Sequence, residues 1–280
     1  MEPTRISLSD YVLSGGGANG ESYDMKDDPS VMLKLYFPGK SQQPLDEMTL
    51  ARKVYDLGIP TPEPGDYVVT EDGRYGIRFH RILGKKSFAR ACGDNPELVP
   101  KYAAEFAAMC RQLHSVHVDT SCFESVKERY FRLLAESPYF TEEEKEMTRR
   151  FIESVPDADT AIHGDLQFGN AIFVDNERYF IDLGDFSYGH PWFDIGMVYL
   201  TCKLSDESFT KEIFHMDRAT SSRFWDFFAK EYFDDGMPLD EIERLILPFA
   251  TLKTIIIDRD SEGRDPYFHD ILNKTLNSYK

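Results

Sequence analysis

With 280 residues, 41% of them hydrophobic and 14% aromatic, the chain can build one large domain or two lobes sharing a cleft, and disorder is not its default. A formal net charge of −17 without any basic stripe argues against a general nucleic-acid binder. Cys92, Cys110, Cys122 and Cys202 stand too far apart to suggest a zinc site or a disulfide framework.

In chain order, "RISLSDYVLS" reads as strand, a glycine-rich stretch "GGGANGESYD" follows, and "VMLKLYF" (Val31–Phe37) is an apolar strand interrupted by Lys34. Within "PLDEMTLARKVYDLG", Leu45, Met48, Val54 and Leu57 recur near helical spacing, and Gly58 closes the helix. "IPTPEPG" cannot continue it, and "DYVVTEDGRYGIRFH" is a hairpin turning at Asp72-Gly73. From Leu83 onward the pattern becomes helical. "NPELVPKYAAEFAAMCRQLHSV" aligns Leu98, Tyr102, Phe106, Met109 and Leu113, and Thr141 with Glu144 forms a capping box opening "EEEKEMTRRFIESV". Two short strand segments intrude, "TAIHG" and "AIFVDNERYFIDL", the latter a hairpin turning at Asp175-Asn176. Helices resume through "FDIGMVYLTCKL", "SSRFWDFFAKEYF" and "LDEIERLILPFATLKTIII". The expected organisation is a small α+β lobe over residues 1–82 and a larger, mainly helical lobe over residues 83–280, joined near "FHRILG". No apolar signal segment opens the chain and no run is long enough to span a bilayer, so the expected home is a reducing cytoplasm.

Gly15, Gly17 and Gly20 fit G-x-G-x-x-G, but no helix opens directly after them as a dinucleotide-binding turn requires. A strand, glycine loop and strand make either the flap that covers nucleotide phosphates in kinases or a flexible hairpin tip. "GKKS" at Gly84–Ser87 fails as a phosphate loop, because the required earlier glycine falls on Phe79. Lys34 stands in an otherwise apolar strand. It needs an anionic partner, such as Glu47 of the following helix or a phosphate, unless an edge position lets it snorkel to water.

The stretch "HGDLQFGN" places Asp165 and Asn170 five residues apart, and Asp182 follows twelve residues later at the end of an apolar strand. Phosphoryl transfer needs two oxygen donors to hold magnesium and one carboxylate to orient the attacking hydroxyl and accept its proton. Asn170 and Asp182 suit the ion, which leaves Asp165 for the hydroxyl. His163 is expected to position the loop by hydrogen bonds. Asp194, in "FDIG", opens a helix, where a carboxylate caps the N-terminus. Asp185 faces either an acceptor or solvent.

This order matches the catalytic-loop and metal-binding segments of protein kinases, with Gly164 in place of the arginine of H-R-D and "DLG" in place of D-F-G. "HGDLQFGN…FIDLGDFSYGHPWFDIG" resembles the signature of the aminoglycoside phosphotransferase and choline kinase-like superfamily. "LYFPGK", "VYDLGIPTP", "GIRFHRILGKKSFARA" and "AIHGDLQFGNAIF" resemble a bacterial branch of it. The resemblance runs from Leu13 to about Leu200 and implies an α+β, protein-kinase-like two-lobed fold. It implies a small-molecule kinase that transfers the γ-phosphate of ATP or GTP to a hydroxyl, with Mg2+ as cofactor. It also implies Asp165 as catalytic base, Asn170 and Asp182 as metal ligands, and Lys34 paired with Glu47 on the nucleotide phosphates. Gly15, Gly17 and Gly20 would form the flap, the backbone of His80 and Ile82 would meet the base, and Asp194 would tether the catalytic loop.

The acidic stretches "FDDG", "LDEIE" and "DRDSEGRD" would attract an amine-bearing acceptor (an aminoglycoside, amino sugar or choline-like alcohol) or form a solvated face. The alternatives are a nucleotide-binding regulator without catalysis and a Ser/Thr protein kinase. The intact set of Asp165, Asn170 and Asp182 speaks against the first, and the short segment after "DLG" against the second. The expected partners are a nucleotide and a small acceptor, with no nucleic acid and no membrane.

Overall fold

A computed structural model describes residues 2–17, 20–40 and 42–280. The chain is α+β and divides into two compact units, Met1–Lys86 with Ile172–Gly184, and Ser87–Ala171 with Asp185–Lys280.

The first unit is built on β1 (Thr4–Ile6), β2 (Tyr11–Gly17), β3 (Gly20–Met25), β4 (Val31–Tyr36), β5 (Pro64–Thr70) and β6 (Tyr75–His80). They form one sheet in the order β1-β5-β6-β4-β3-β2, antiparallel throughout except for β1 beside β5. Side chains alternate across a strand, and β4 shows what that does here. Leu33 and Leu35 pack with Ile6, Tyr11, Tyr23 and Val68. Tyr36 packs instead with Met48, Tyr67 and Ile77, Met48 belonging to the helix α1 (Gln42–Asp56). Lys34 shares the parity of Tyr36 and so turns toward α1.

Two features of this unit differ from the sequence pattern. The stretch "ESYDMK", polar in composition, supplies most of β3, because only Gly20 and Tyr23 of that strand need to be buried. The glycines lie within β2 and β3, and Ala18 and Asn19 of the expected loop fall outside the described residues. Gly20 is required sterically, since a Cβ there would run into the backbone of Leu35 on β4. The β5–β6 hairpin turns where expected, with Gly73 at φ +81° and its N–H donating to Thr70 O at 3.0 Å.

In the second unit the helix Val99–Leu113 packs on Arg218–Phe233 through Phe106, whose ring centroid lies 5.9 Å from that of Phe224 and 5.4 Å from that of Phe228. The capping box at Thr141 and Glu144 forms as expected. The helix Trp192–Tyr199 lies against Leu239–Thr251 so closely that a Cβ on Gly196 would strike the backbone of Phe249. It continues as a π-helix over Leu200–Leu204. The expected long helix from Leu239 is broken into Leu239–Thr251 and Thr254–Asp260. At the break, tight bonds from Lys253 N to Ala250 O (3.1 Å) and Ile255 N to Leu252 O (3.3 Å) replace helical ones. A two-stranded ribbon pairs Ala161–Ile162 with Ser187–Tyr188. Among the described residues no helix is long and apolar enough to cross a membrane.

Candidate active site

The first unit carries a cleft of about 480 Å³ lined by Gly16, Gly20, Lys34, Glu47, Phe79, the stretch His80–Ile82, Lys85, Ile172 and Asp182 among others. Lys34 Nζ meets Glu47 Oε1 at 2.7 Å, and the Tyr36 hydroxyl donates to Glu47 Oε2. Strand parity therefore puts a cation and a phenol two residues apart onto the two oxygens of one helix carboxylate. Burial pushes the Tyr36 phenol far up, and the Glu47 carboxylate adds to it, so the phenol stays a donor. Glu47 is thereby fixed from two sides, and Lys34 keeps a defined place on the cleft wall.

Asp182 is exposed on the same cleft and sits at φ +59°. A non-glycine residue in the left-handed region is uncommon, and such residues gather at functional sites. Gly16 and Gly20 line the cleft, and Gly15 is not among its described lining residues. The His80 N–H donates to Glu63 O at 2.9 Å and that of Arg81 to Ser30 O at 2.6 Å. The Ile82 N–H has no acceptor among the described residues. Lys85, set aside by the sequence together with its failed phosphate loop, lines this cleft as well. Its side chain keeps solvent contact, yet burial of the ammonium lowers its pKa and the nearby Arg81 lowers it further.

In the second unit the chain leaves the strand Ala161–Ile162 and enters the loop bearing Asp165 and Asn170. Asn170 Nδ2 donates to Asp165 O at 3.0 Å and to Asp165 Oδ2 at 2.8 Å. With its nitrogen committed, the side chain of Asn170 keeps Oδ1 as an acceptor. Burial raises the pKa of Asp165 above the ordinary aspartate value, and the nearby Lys253 and His163 offset only part of that rise. Gly164, at φ +88°, would meet Asp185 O if it carried a Cβ, so the loop needs glycine there on both counts.

Asp194 does not cap its helix. It lies in the first turn of Trp192–Tyr199, and Oδ2 accepts from the His163 N–H at 2.7 Å while Oδ1 accepts from the Gly164 N–H at 2.9 Å. The carboxylate turns to these two loop amides, whereas the helix amides at that end have turn partners, the Asp194 N–H donating to Pro191 O at 3.0 Å. His114 Nε2 closes on Asp194 Oδ2 at 3.1 Å and is held in turn by Tyr232 at 2.7 Å. Burial alone would raise the pKa of Asp194, but these bonds outweigh it and hold the carboxyl below its usual range. The ring of His163 accepts from the Asp165 N–H at 3.4 Å, a long bond consistent with a loop-shaping part.

Three residues that hold this loop escaped the sequence: His114, Tyr232 and Lys253. Lys253, only 5% exposed, donates to Gly164 O at 2.7 Å. Burial lowers its pKa, yet Tyr130 and the Asp165 carboxylate raise it on balance, so it stays charged. Its signal was the one that exposed Lys34, a single lysine inside the apolar run "TLKTIII".

The acidic C-terminal stretches serve mostly structural ends. Asp258 pairs with His269 at 2.6 Å, Asp265 caps the helix Pro266–Leu276, Glu243 accepts from Trp225 Nε1 at 3.0 Å, and Asp235 accepts from the Met237 N–H at 2.9 Å. Asp185 is paired with Arg129 at 3.2 Å. Among the described residues no group of three or more His, Cys, Asp or Glu is placed to hold a metal ion.

A sheet-rich first unit with a lysine–glutamate pair, and a helical second unit with a carboxylate-bearing loop behind a short strand, define a protein-kinase-like phosphotransferase. A family model described as "Phosphotransferase enzyme family" matches residues 12–228, and the chain belongs to that family. Among solved structures, the amicoumacin kinase hAmiN "in complex with AMP-PNP, Ca2+ and Ami" is similar at a TM-score of 0.58 and 16% identity, over 99% of this chain and 90% of that one. A choline/ethanolamine kinase family protein from Mesorhizobium loti follows at 0.56 and 12%, over 96% and 86%. A thermostable mutant of aminoglycoside phosphotransferase APH(4)-Ia stands at 0.63 and 11%, over 96% and 94%. Likeness at these identities establishes the fold. No curated protein matches the sequence.

Proposed function

We propose that this phosphotransferase moves the γ-phosphate of ATP or GTP onto a hydroxyl of a small molecule, with Asp165 as the base. The observation that carries this reading is the state of Asp165: partly buried, held by Asn170 Nδ2 at 2.8 Å, and raised by burial above the ordinary aspartate pKa, the direction that suits a general base. Asp165 takes the proton of the acceptor hydroxyl as its oxygen attacks the γ-phosphorus. The bond from that phosphorus to the β,γ-bridging oxygen breaks, and the nucleoside diphosphate leaves. Asn170 Oδ1 and the Asp182 carboxylate are hard oxygen donors that fit Mg2+. Held by these residues, Mg2+ would supply charge neutralisation to the phosphates. Lys34, fixed by Glu47, grips the phosphates, and Lys85 adds a second cation on the same cleft. The open N–H of Ile82 and the carbonyl of His80 meet the base, and Gly16 and Gly20 allow the phosphates close to the backbone.

The test is nucleotide consumption by the purified chain with Mg2+, ATP or GTP, and an array of amino sugars, amino alcohols, hydroxy acids and nucleosides. Transfer to one or more alcohols supports the reading. Magnesium-dependent nucleotide binding without transfer to any of them turns it toward a regulator that has lost catalysis.

A further inference from the structure

Beside the Asp165 loop the second unit holds a small recess of about 30 Å³, and its charge runs against the rest of the chain. The protein carries a formal net charge of −17, yet Lys253, Arg129 and Arg259 line this recess against a single carboxylate, Asp185. That carboxylate is already engaged, since Arg129 Nη1 donates to Asp185 Oδ1 at 3.2 Å. Arg129 is also paired with Glu124 at 2.9 Å, and Arg259 with its neighbour Asp260 at 2.8 Å. Lys253 reaches Gly164 O, one residue from the candidate base. No acidic side chain is left in the recess to receive an ammonium.

A second, independent observation points to a ligand there. Ser187 is fully buried on the ribbon beside Ile162, it lines the recess, and its Oγ has no hydrogen-bond partner among the described residues. A buried hydroxyl without a partner is destabilising unless something polar completes it. The available space suits a carboxylate or one or two ordered waters, and it is too small for a ring.

We infer that the recess anchors a carboxylate of the acceptor, so that the molecule phosphorylated at Asp165 is a hydroxy acid rather than an amine-bearing alcohol. The inference rests on the proposed phosphotransferase activity and narrows its acceptor. Ser187 Oγ donates to one carboxylate oxygen, and Arg259, the cation with the most freedom, swings onto the other. Lys253 and the half-buried Arg129 line the recess and its one carboxylate is engaged, so an ammonium finds no partner there.

Gluconate, sorbitol and glucamine share one polyol chain and differ only in a terminal carboxylate, hydroxyl or ammonium. Calorimetric titration of the full chain with each is expected to show gluconate binding at least about tenfold tighter than either partner, as a charge-assisted contact gives. The double variant Arg259→Gln, Ser187→Ala is expected to erase that preference. Arg259 is exposed and the serine hydroxyl is unpaired, so the variant keeps its fold, which a thermal scan checks. Equal or tighter binding of glucamine, a gluconate preference that survives the double variant, or binding of none of the three overturns the inference. Magnesium-dependent ATP binding, measured on the same samples, reports separately on the phosphotransferase reading: its loss sinks that reading, and its persistence with a glucamine preference sinks only the hydroxy-acid assignment.

Discussion

Replacing Asp194 by asparagine tests how the loop bearing Asp165 is held. The carboxylate is fully buried and accepts from His163 N–H at 2.7 Å, Gly164 N–H at 2.9 Å and His114 Nε2 at 3.1 Å. An amide of the same shape keeps one oxygen and turns an NH2 toward one of these donors. One charge-assisted bond is lost, worth about 1.5–3 kcal/mol, and one buried N–H is left unpaired at about 1–3 kcal/mol. The loop is therefore expected to lose on the order of 3 kcal/mol against local opening, which converts to roughly a hundredfold faster amide exchange. Hydrogen exchange at His163 and Gly164 reads this directly, with the β4–β6 amides of the first unit as the unchanged control. Exchange at both amides within about threefold of wild type, in a folded variant, refutes the tether.

Gly164→Ala forces a Cβ into Asp185 O at φ +88°. It is expected to lower the stability of the second unit by about 2 kcal/mol in urea unfolding and to reduce turnover with it. Lys34→Met leaves Glu47 to Tyr36 alone and is expected to weaken ATP binding by roughly tenfold to a hundredfold in titration, while Asp165 is untouched. In pH profiles, the proposed base role needs Asp165 ionised and its pKa is raised, so the acid limb of kcat/KM is expected above the ordinary aspartate value of about 4. Asp165 and Asp194 have opposite effects on stability. Asp165 favours the fold below its ordinary pKa and loses that contribution as pH rises through the raised value, whereas Asp194 contributes above its ordinary pKa and loses it as pH falls through the lowered one.

The parts legible in the sequence were those with a local cause. The period-two pattern of "VMLKLYF", the helical spacing after it and the turn glycine Gly73 dictate β4, α1 and the β5–β6 hairpin from neighbours in sequence. The Lys34–Glu47 pair was legible because an unpaired ammonium cannot stay in an apolar strand. Tyr36, on the same carboxylate, was hidden because a tyrosine in a strand is satisfied by burial as readily as by a bond. Lys253 gave the same signal as Lys34 but stood in a run that looked helical, and the contact that holds it, to Gly164 O, comes from a loop 89 residues away in sequence. His114 and Asp194 are 80 residues apart in sequence, so their pairing needed the fold. The acidic C-terminal stretches could be counted in the sequence, but their engagement with His269, Trp225 and helix ends could not.

The account stands on Asp165 as the group that takes the acceptor proton. The most direct measurement is transfer of labelled γ-phosphate to an accepted alcohol by the wild type and by Asp165→Asn, with ATP affinity measured on both. The expected result is turnover lower by at least about a hundredfold with nucleotide affinity nearly unchanged. Turnover of the variant within a few-fold of wild type contradicts it.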